Sequence, residues 1–123
     1  MLKRKMPVKR DNILVYMAGP YSRYPDKEKL MDAFMTTAGK WMLDHPGNHV
    51  VSPLYMHYSL KHVPGMSGDY NFFGDYSRNL LRRCDLVVVV MFPGWEESTG
   101  VRDEIATAEK CGIPVEYIDA PEI

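Results

Sequence analysis

The stretch DLVVVVMFPGWEESTGVRDE, residues 85–104, decides the fold of this chain. Leu86–Met91 is apolar and rich in β-branched residues, which is typical of a parallel strand buried on both faces. Phe92–Glu97 contains Pro and Gly and predicts a short loop, and Ser98 is an N-cap for the helix that follows. The stretch therefore predicts a strand, a turn and a helix. The turn and the helix N-terminus would lie in the crevice where open α/β sheets bind ligands.

Glu104 lies on the inward face of this predicted helix. Val101, Ile105 and Ala108 form an i, i+4, i+7 apolar stripe, and Glu104 occupies its remaining i+3 position. The alternative is a solvated carboxylate that gains a little from the helix dipole. A partly desolvated carboxylate beside a ligand crevice favours a functional residue, suited to nucleophilic or general-base chemistry.

Length and composition predict one compact domain. The chain has 123 residues, 46% of them hydrophobic and 25% charged, which fits a single domain at residues 12–123. Residues 1–11 are basic and predict a poorly ordered arm rather than a binding site. A formal net charge of -1 gives no overall attraction to a nucleic-acid polymer. No stretch has transmembrane length or the apolar core of a signal sequence, so we expect a cytoplasmic protein with no membrane partner.

Cysteine and histidine spacing predicts no metal site. Cys84 and Cys111 fall at apolar-pattern positions, which is typical of small buried hydrophobic residues. The four histidines form no HExxH or comparable arrangement. Neither GxGxxG nor a Walker loop is present, so we expect no dinucleotide or triphosphate held by those devices, and no cofactor.

The remaining sequence alternates strand and helix patterns. Asn12–Ala18 predicts the first strand, which Gly19-Pro20 ends, and His49–Ser52 predicts a short second strand. Leu54–Gly68 predicts a long loop, either a functional lid or a plain surface loop. Gly112 predicts a helix C-cap, and Ile113–Ile118 a last strand. We therefore expect an α/β three-layer sandwich with a flavodoxin-like or Rossmann-like parallel sheet.

Two further helices are predicted between these strands. Asp26 caps the first, whose apolar positions at helical spacing are Leu30, Phe34, Ala38, Trp41 and Met42. The second runs from Asp69 to Arg83. Its predicted inward residues are Phe73, Tyr76, Leu80, Leu81 and Cys84, with Ser77 on the same face, and its outward residues are Asp75, Arg78 and Arg82.

Three motifs together resemble the nucleoside 2-deoxyribosyltransferase superfamily, especially its small phage and bacterial members. They are YMAGPYS at Tyr16–Ser22, CDLVVVV at Cys84–Val90 and PGWEESTGVRDEIATA at Pro93–Ala108. The match covers most of the chain after the basic arm. The superfamily also contains the nucleoside 5′-monophosphate N-glycosidases, and its fold is the flavodoxin-like sandwich expected from the residue pattern.

The resemblance implies roles for individual residues. Glu104, four residues after the Gly that opens the helix, matches the family's catalytic nucleophile, and Ala18-Gly19-Pro20 matches the turn that lines the sugar or phosphate site. Ser98 stands where many transferases carry an Asp and where the monophosphate N-glycosidases carry a phosphate-binding Ser. Ser98 also suits a helix cap, and the two roles are compatible. The predicted substrate-binding residues are Tyr16, Ala18, Gly19, Pro20, Tyr21, Ser22, Arg23, Ser77, Ser98, Thr99 and Gly100.

One position departs from the family pattern. Many members carry an Asp, which acts as general acid, at the position of Ser77. Asp75 lies about 200° around the helix from that position and is expected to face solvent beside Arg78. Asp69, at the start of the same helix, is the candidate for a replacement catalytic carboxyl group.

The predicted function is cleavage of the base–sugar bond of a (deoxy)nucleoside 5′-monophosphate through Glu104. One alternative is a nucleoside 2-deoxyribosyltransferase that exchanges bases on free deoxynucleosides. Another, favoured by Ser77, is a non-catalytic nucleotide-binding sensor or interaction protein. The expected partner is a small nucleotide or nucleoside. We also expect a homodimer or larger oligomer with an interface at Tyr55–Tyr58 and Tyr70–Phe73, because aromatic residues are enriched at interfaces.

Overall fold

The computed structural model describes residues 12–21, 25–60, 62–66 and 70–122. The strands are β1 (Ile13–Ala18), β2 (Asn48–Val51), β3 (Leu86–Met91) and β4 (Val115–Asp119). The helices are α1 (Lys27–Asp44), α2 (Pro53–Leu60), α3 (Tyr70–Leu81) and α4 (Thr99–Cys111), with a 3₁₀ turn at Trp95–Glu97 before α4. The basic arm predicted for residues 1–11 lies outside the described residues.

The four strands form one parallel sheet in the order β2-β1-β3-β4. The chain passes from β1 outward to β2 and then returns to β3 on the other side of β1. Such a reversal opens a crevice at the carboxyl ends of the two central strands, which is where doubly wound sheets bind ligands. The predicted α/β sandwich with a flavodoxin-like parallel sheet is confirmed.

Helices cover both faces of the sheet. On one face, Val15 and Met17 of β1 pack with the buried side chains of α1 and with Leu54 and Tyr58 of α2. On the other face, Tyr16 of β1 and its neighbour Ala18 pack with residues of α3 and α4. Since successive strand residues point to opposite faces, β1 contributes to both cores. Tyr16 therefore points toward the side of the sheet that carries Glu104.

The predicted helix caps are present. Asp26 accepts a hydrogen bond from the Lys29 backbone N–H at 3.1 Å and begins α1. Gly112 has φ 71° and ends α4, because this left-handed conformation suits Gly best. Gly19 is required for another reason: a Cβ there would lie 3.0 Å from Cε1 of Phe34. The turn after β1 can therefore pack tightly on α1 only without a side chain at residue 19.

The prediction of a loop throughout Leu54–Gly68 is wrong, because α2 occupies its first part. Pro53 is not only a strand terminator. It is the first residue of this helix, where a fixed φ and a missing N–H cost nothing. The Ser52 hydroxyl accepts a hydrogen bond from the Leu54 backbone N–H at 3.3 Å at the start of the helix.

Three predicted inward residues are exposed. Met42 (38% exposed) lies one position beyond Trp41, which completes the buried face of α1. Tyr76 (39% exposed) lies beside the inward row of α3 that contains Phe73 and Leu81. Cys111 is exposed because it is the last residue of α4, beyond the buried part of the helix, whereas Cys84 is buried as predicted.

Candidate active site

Three side chains from different elements meet between the sheet, α3 and α4. Tyr16 of β1 is fully buried, and its hydroxyl donates a hydrogen bond to Oε2 of Glu104 on α4. Ser77 of α3 lies near the same tyrosine side chain, and its hydroxyl acts to lower the pKa of Tyr16. We call these three residues the Glu104 cluster. Glu104 thus points inward, as the helical pattern predicts, and its carboxyl group is partly buried.

Burial raises the pKa of the Glu104 carboxyl group to about 8. The hydrogen bond from Tyr16 acts in the opposite direction because it stabilises the carboxylate, while the negative charge of Asp103 adds to the increase. The pKa of Tyr16 is raised well above its ordinary value, first by burial and then by the charge of Glu104. Tyr16 therefore remains a hydrogen-bond donor at neutral pH, where most Glu104 carboxyl groups carry a proton.

The turn after β1 lies at the carboxyl end of a central strand, where doubly wound sheets bind ligands. Ala18, Gly19 and Pro20 are buried, and half-buried Tyr21 stacks on His57 of α2 with ring centroids 4.8 Å apart. His57 in turn stacks on Phe73 of α3 at 4.0 Å, one helical turn before Ser77. This aromatic stack connects the turn, α2 and α3.

No pattern in the sequence predicts the aromatic stack. His57 falls in the segment that was predicted as a loop, and stacking between residues 36 and 16 positions apart depends on tertiary packing. Three predicted site residues, Ser22, Arg23 and Asp69, lie outside the described residues.

The start of α4 follows β3, the other central strand of the sheet. Ser98 is the N-cap, and its Oγ accepts a hydrogen bond from the Val101 backbone N–H at 3.2 Å. Thr99 and Gly100 are the first two helical residues, whose N–H groups have no partner within a helix. Six residues separate Ser98 from Glu104, about 9 Å along the helix axis. A ligand between them would meet backbone donors at one end and the carboxyl group at the other.

An ion pair borders the cluster on its solvent side. Arg78 of α3 contacts Asp103 of α4 at 2.8 Å and Asp75 at 2.7 Å. The Asp75 side chain is 88% exposed, as the helical pattern predicts, so Asp75 does not replace a carboxylate at Ser77. The contact between Arg78 and Asp103 was not predicted.

Over the described ranges, no group of three or more His, Cys, Asp and Glu side chains is arranged to hold a metal ion. No helix within those ranges is long and apolar enough to cross a membrane. The described residues of the Glu104 cluster supply one carboxyl group and two hydroxyl groups.

Comparison with solved structures reveals the same fold in a 2-deoxyribosyltransferase from the psychrotolerant bacterium Bacillus psychrosaccharolyticus. The TM-score is 0.60 with 21% sequence identity, and the similarity covers 89% of this chain and 75% of that one. The predicted resemblance to the nucleoside 2-deoxyribosyltransferase superfamily is confirmed at the level of the fold. No curated protein sequence matches the chain. A family model described as a domain of unknown function, DUF1937, matches residues 13–119, and the chain belongs to this family.

Proposed function

We propose that the protein cleaves the base–sugar bond of a (deoxy)nucleoside 5′-monophosphate, with Glu104 as the nucleophile. The observation that carries the proposal is the Glu104 cluster, where a partly buried carboxyl group is held by a fully buried tyrosine hydroxyl. A carboxyl group with a raised pKa beside a crevice is typical of catalytic sites. The shared fold with a 2-deoxyribosyltransferase supports glycosyl chemistry as the reaction class.

The reaction has two steps at C1′ of the sugar. In the first, a Glu104 carboxylate oxygen attacks C1′, the C1′–N bond breaks, and the electron pair leaves with the base. In the second, water attacks C1′ and gives its proton to the group that protonated the base, and the ester bond to Glu104 breaks to restore the carboxylate. Tyr16 donates its hydrogen bond to Oε2, so we propose Oε1 as the attacking oxygen. Asp69 is our proposed proton donor to the leaving base, because Ser77 offers no carboxyl group.

The start of α4 supports a 5′-phosphate as the recognised group. The N–H groups of Thr99 and Gly100, together with the positive end of the helix dipole, favour an anion there. Arg102 adds a positive charge nearby, and its Nε donates to the Glu96 carbonyl at 2.8 Å. Two acidic residues, Glu96 and Glu97, precede the helix, and both are exposed to water, which screens their repulsion of an anion. We propose that Ser22 and Arg23 add contacts to the phosphate.

Two alternatives have specific support. The fold shared with a 2-deoxyribosyltransferase favours transfer, in which a second base instead of water resolves the glycosyl-enzyme. Ser77, which offers no carboxyl group as general acid, favours a nucleotide-binding protein without turnover. Incubation with a panel of nucleosides and monophosphates separates these functions. Base release in water indicates hydrolysis, base exchange indicates transfer, and binding without product indicates a sensor.

We expect kcat/KM for base release to rise with pH, to reach half of its maximum near pH 8 and to level off about one pH unit higher. The sign follows because only the ionised Glu104 attacks C1′, and ionisation requires loss of its proton. Tyr16→Phe removes the hydrogen bond that lowers the pKa of Glu104, so its plateau should begin at higher pH. The measurement is a pH profile of both proteins. A profile that is flat from pH 5 to 9 would contradict the role of Glu104.

Ser98→Asp should lower kcat/KM on a deoxynucleoside 5′-monophosphate by about 10- to 100-fold. The new carboxylate repels the phosphate and removes a charge-assisted contact, which contributes about 1.5–3 kcal/mol. Activity on the free nucleoside should change little. Aspartate is an equally good N-cap, so the helix remains capped. Ser98→Asn is the matched control, because asparagine is a neutral N-cap of the same size as aspartate. Equal efficiency of wild type on both substrates would instead favour the free-nucleoside transferase.

We propose that the protein is a homodimer or a larger oligomer. Tyr55, Met56, Phe72 and Tyr76 are between 39% and 52% exposed, which places large apolar side chains of α2 and α3 in solvent. Phe72→Ser combined with Tyr55→Ser should shift the protein toward monomer in sedimentation velocity at micromolar concentration. A wild-type monomer with full activity would rule the assembly out.

A further inference from the structure

The ion pair beside the Glu104 cluster joins two helices at the level of the cluster. Arg78 Nη1 donates to Oδ2 of Asp103 at 2.8 Å, and Arg78 Nη2 donates to Oδ1 of Asp75 at 2.7 Å. Arg78 follows Ser77 in the chain, and Asp103 precedes Glu104. The contact between Arg78 and Asp103 therefore links α3 to the same turn of α4 that carries the carboxyl group.

The two ion pairs of Arg78 lie in different surroundings. The Arg78 and Asp103 side chains are 26% and 31% exposed, whereas Asp75 is 88% exposed. Charges that are partly withdrawn from water interact more strongly than charges that water and salt screen. The pairing with Asp103 is therefore the stronger constraint on Arg78, and Asp75 acts mainly from the solvent side.

Asp103 has a direct electrostatic effect on its neighbour. Its negative charge opposes the ionisation of Glu104, and the guanidinium of Arg78 lies against that charge. We propose that Arg78 is a positioning residue. By holding Asp103 it fixes the turn of α4 that presents Glu104 to Tyr16, and it offsets the negative charge beside the catalytic carboxylate. The inference rests on the proposed function of Glu104, but it predicts an ionisation that is measurable without turnover.

Few other groups near the cluster change charge in the relevant range. Tyr16 of β1 faces Glu104, and its pKa is raised well above 10. Cys84, before β3, lies near Tyr16, and burial raises its pKa to about 11. Ser77 of α3 does not ionise in this range. Among the described neighbours, the charge that acts on Glu104 is that of Asp103, and Arg78 is the cation in contact with Asp103.

The test is the titration of the Glu104 carboxyl group, followed by NMR on protein labelled with ¹³C at the glutamate side-chain carboxyl. Glu104→Gln identifies the signal. Arg78→Met should move its midpoint upward by about half to one pH unit, because the charge of Asp103 is no longer offset. Arg82→Met removes the same charge four residues further along the chain, just after α3 ends and in the same groove, and should leave the midpoint unchanged. Asp103→Asn should move it downward.

A second variant separates charge from contact. Arg78→Gln is neutral but keeps an amide donor for Asp103, so the Glu104 titration midpoint should also move upward in this variant. If Arg78→Met does not fold, Arg78→Gln alone tests whether the charge of Arg78 offsets that of Asp103. At pH 7, either change should lower kcat/KM about three- to tenfold, and activity should recover at higher pH.

The proposal would be overturned if the Glu104 titration midpoint in Arg78→Gln equalled the midpoint in wild type and in Arg82→Met. It would also be overturned if Arg78→Gln lost the same fraction of activity at every pH. If wild type releases no base from any substrate, the proposed function fails. The NMR titration still decides the role of Arg78 in that case.

Discussion

Glu104→Gln should lower kcat/KM for base release by about 10³-fold or more while the protein remains folded. The amide cannot attack C1′, so the step that forms the glycosyl-enzyme is lost. Glutamine keeps an oxygen that accepts the Tyr16 hydrogen bond and has nearly the same volume, so the packing between β1 and α4 is retained. The measurement is base release under single-turnover conditions, with circular dichroism as the check on folding.

A matched control is available on the same helix. Glu109→Gln makes the identical chemical change at an exposed position of α4, and it should leave kcat/KM unchanged. Wild-type turnover by Glu104→Gln would exclude the covalent mechanism. An equal loss in both variants would mean that the charge of the helix, and not the carboxyl group at residue 104, controls the rate.

The second large effect is on stability. The pKa of Glu104 is about 8 in the folded protein against an ordinary value of 4.5, so the folded state holds a proton that the unfolded state has lost between these pH values. The free energy of unfolding should therefore fall as pH rises from about 4.5 to 8 and then stay level. Glu104→Gln removes this dependence. It should match wild type near pH 4 and be about 2–4 kcal/mol more stable at pH 9.

Urea unfolding of both proteins at pH 4, 7 and 9 measures this difference. Subtracting the two curves cancels the contribution of every group that the variants share, and Glu109→Gln again provides the control because its carboxyl group is exposed. A difference that does not change with pH would mean that Glu104 ionises at its ordinary pKa. If wild type were more stable than Glu104→Gln at pH 9, the Tyr16 hydrogen bond to the carboxylate would outweigh the cost of burying its charge.

Much of the fold could be predicted because its signals are local. The apolar run Leu86–Met91 and the caps at Asp26, Ser98 and Gly112 depend only on neighbouring residues, and the structure places each of them as predicted. The inward position of Glu104 follows from the same helical period. The error at α2 arises from a local signal that has two meanings. A proline both ends strands and begins helices, and Pro53 was interpreted only in the first sense.

The assembly of the site could not be predicted in the same way. The helical period places Ser77 and Glu104 on inward faces, but their common contact with Tyr16 depends on β1 lying at the centre of the sheet. The stack through His57 and the pairing of Arg78 with Asp103 likewise join residues far apart in the chain. Such contacts arise from the packing of complete elements, and no spacing within one element specifies them.

The central claim, a covalent bond between Glu104 and C1′, is tested most directly by the stereochemistry of the product. Base release from a β-deoxynucleoside 5′-monophosphate in the presence of methanol forms a methyl glycoside, whose anomeric configuration is stable enough to be read by proton NMR. Two successive displacements through Glu104 predict retention, and thus the β-methyl glycoside, with none formed by Glu104→Gln. Formation of the α-methyl glycoside would indicate direct attack by the acceptor and would contradict a glycosyl-enzyme on Glu104.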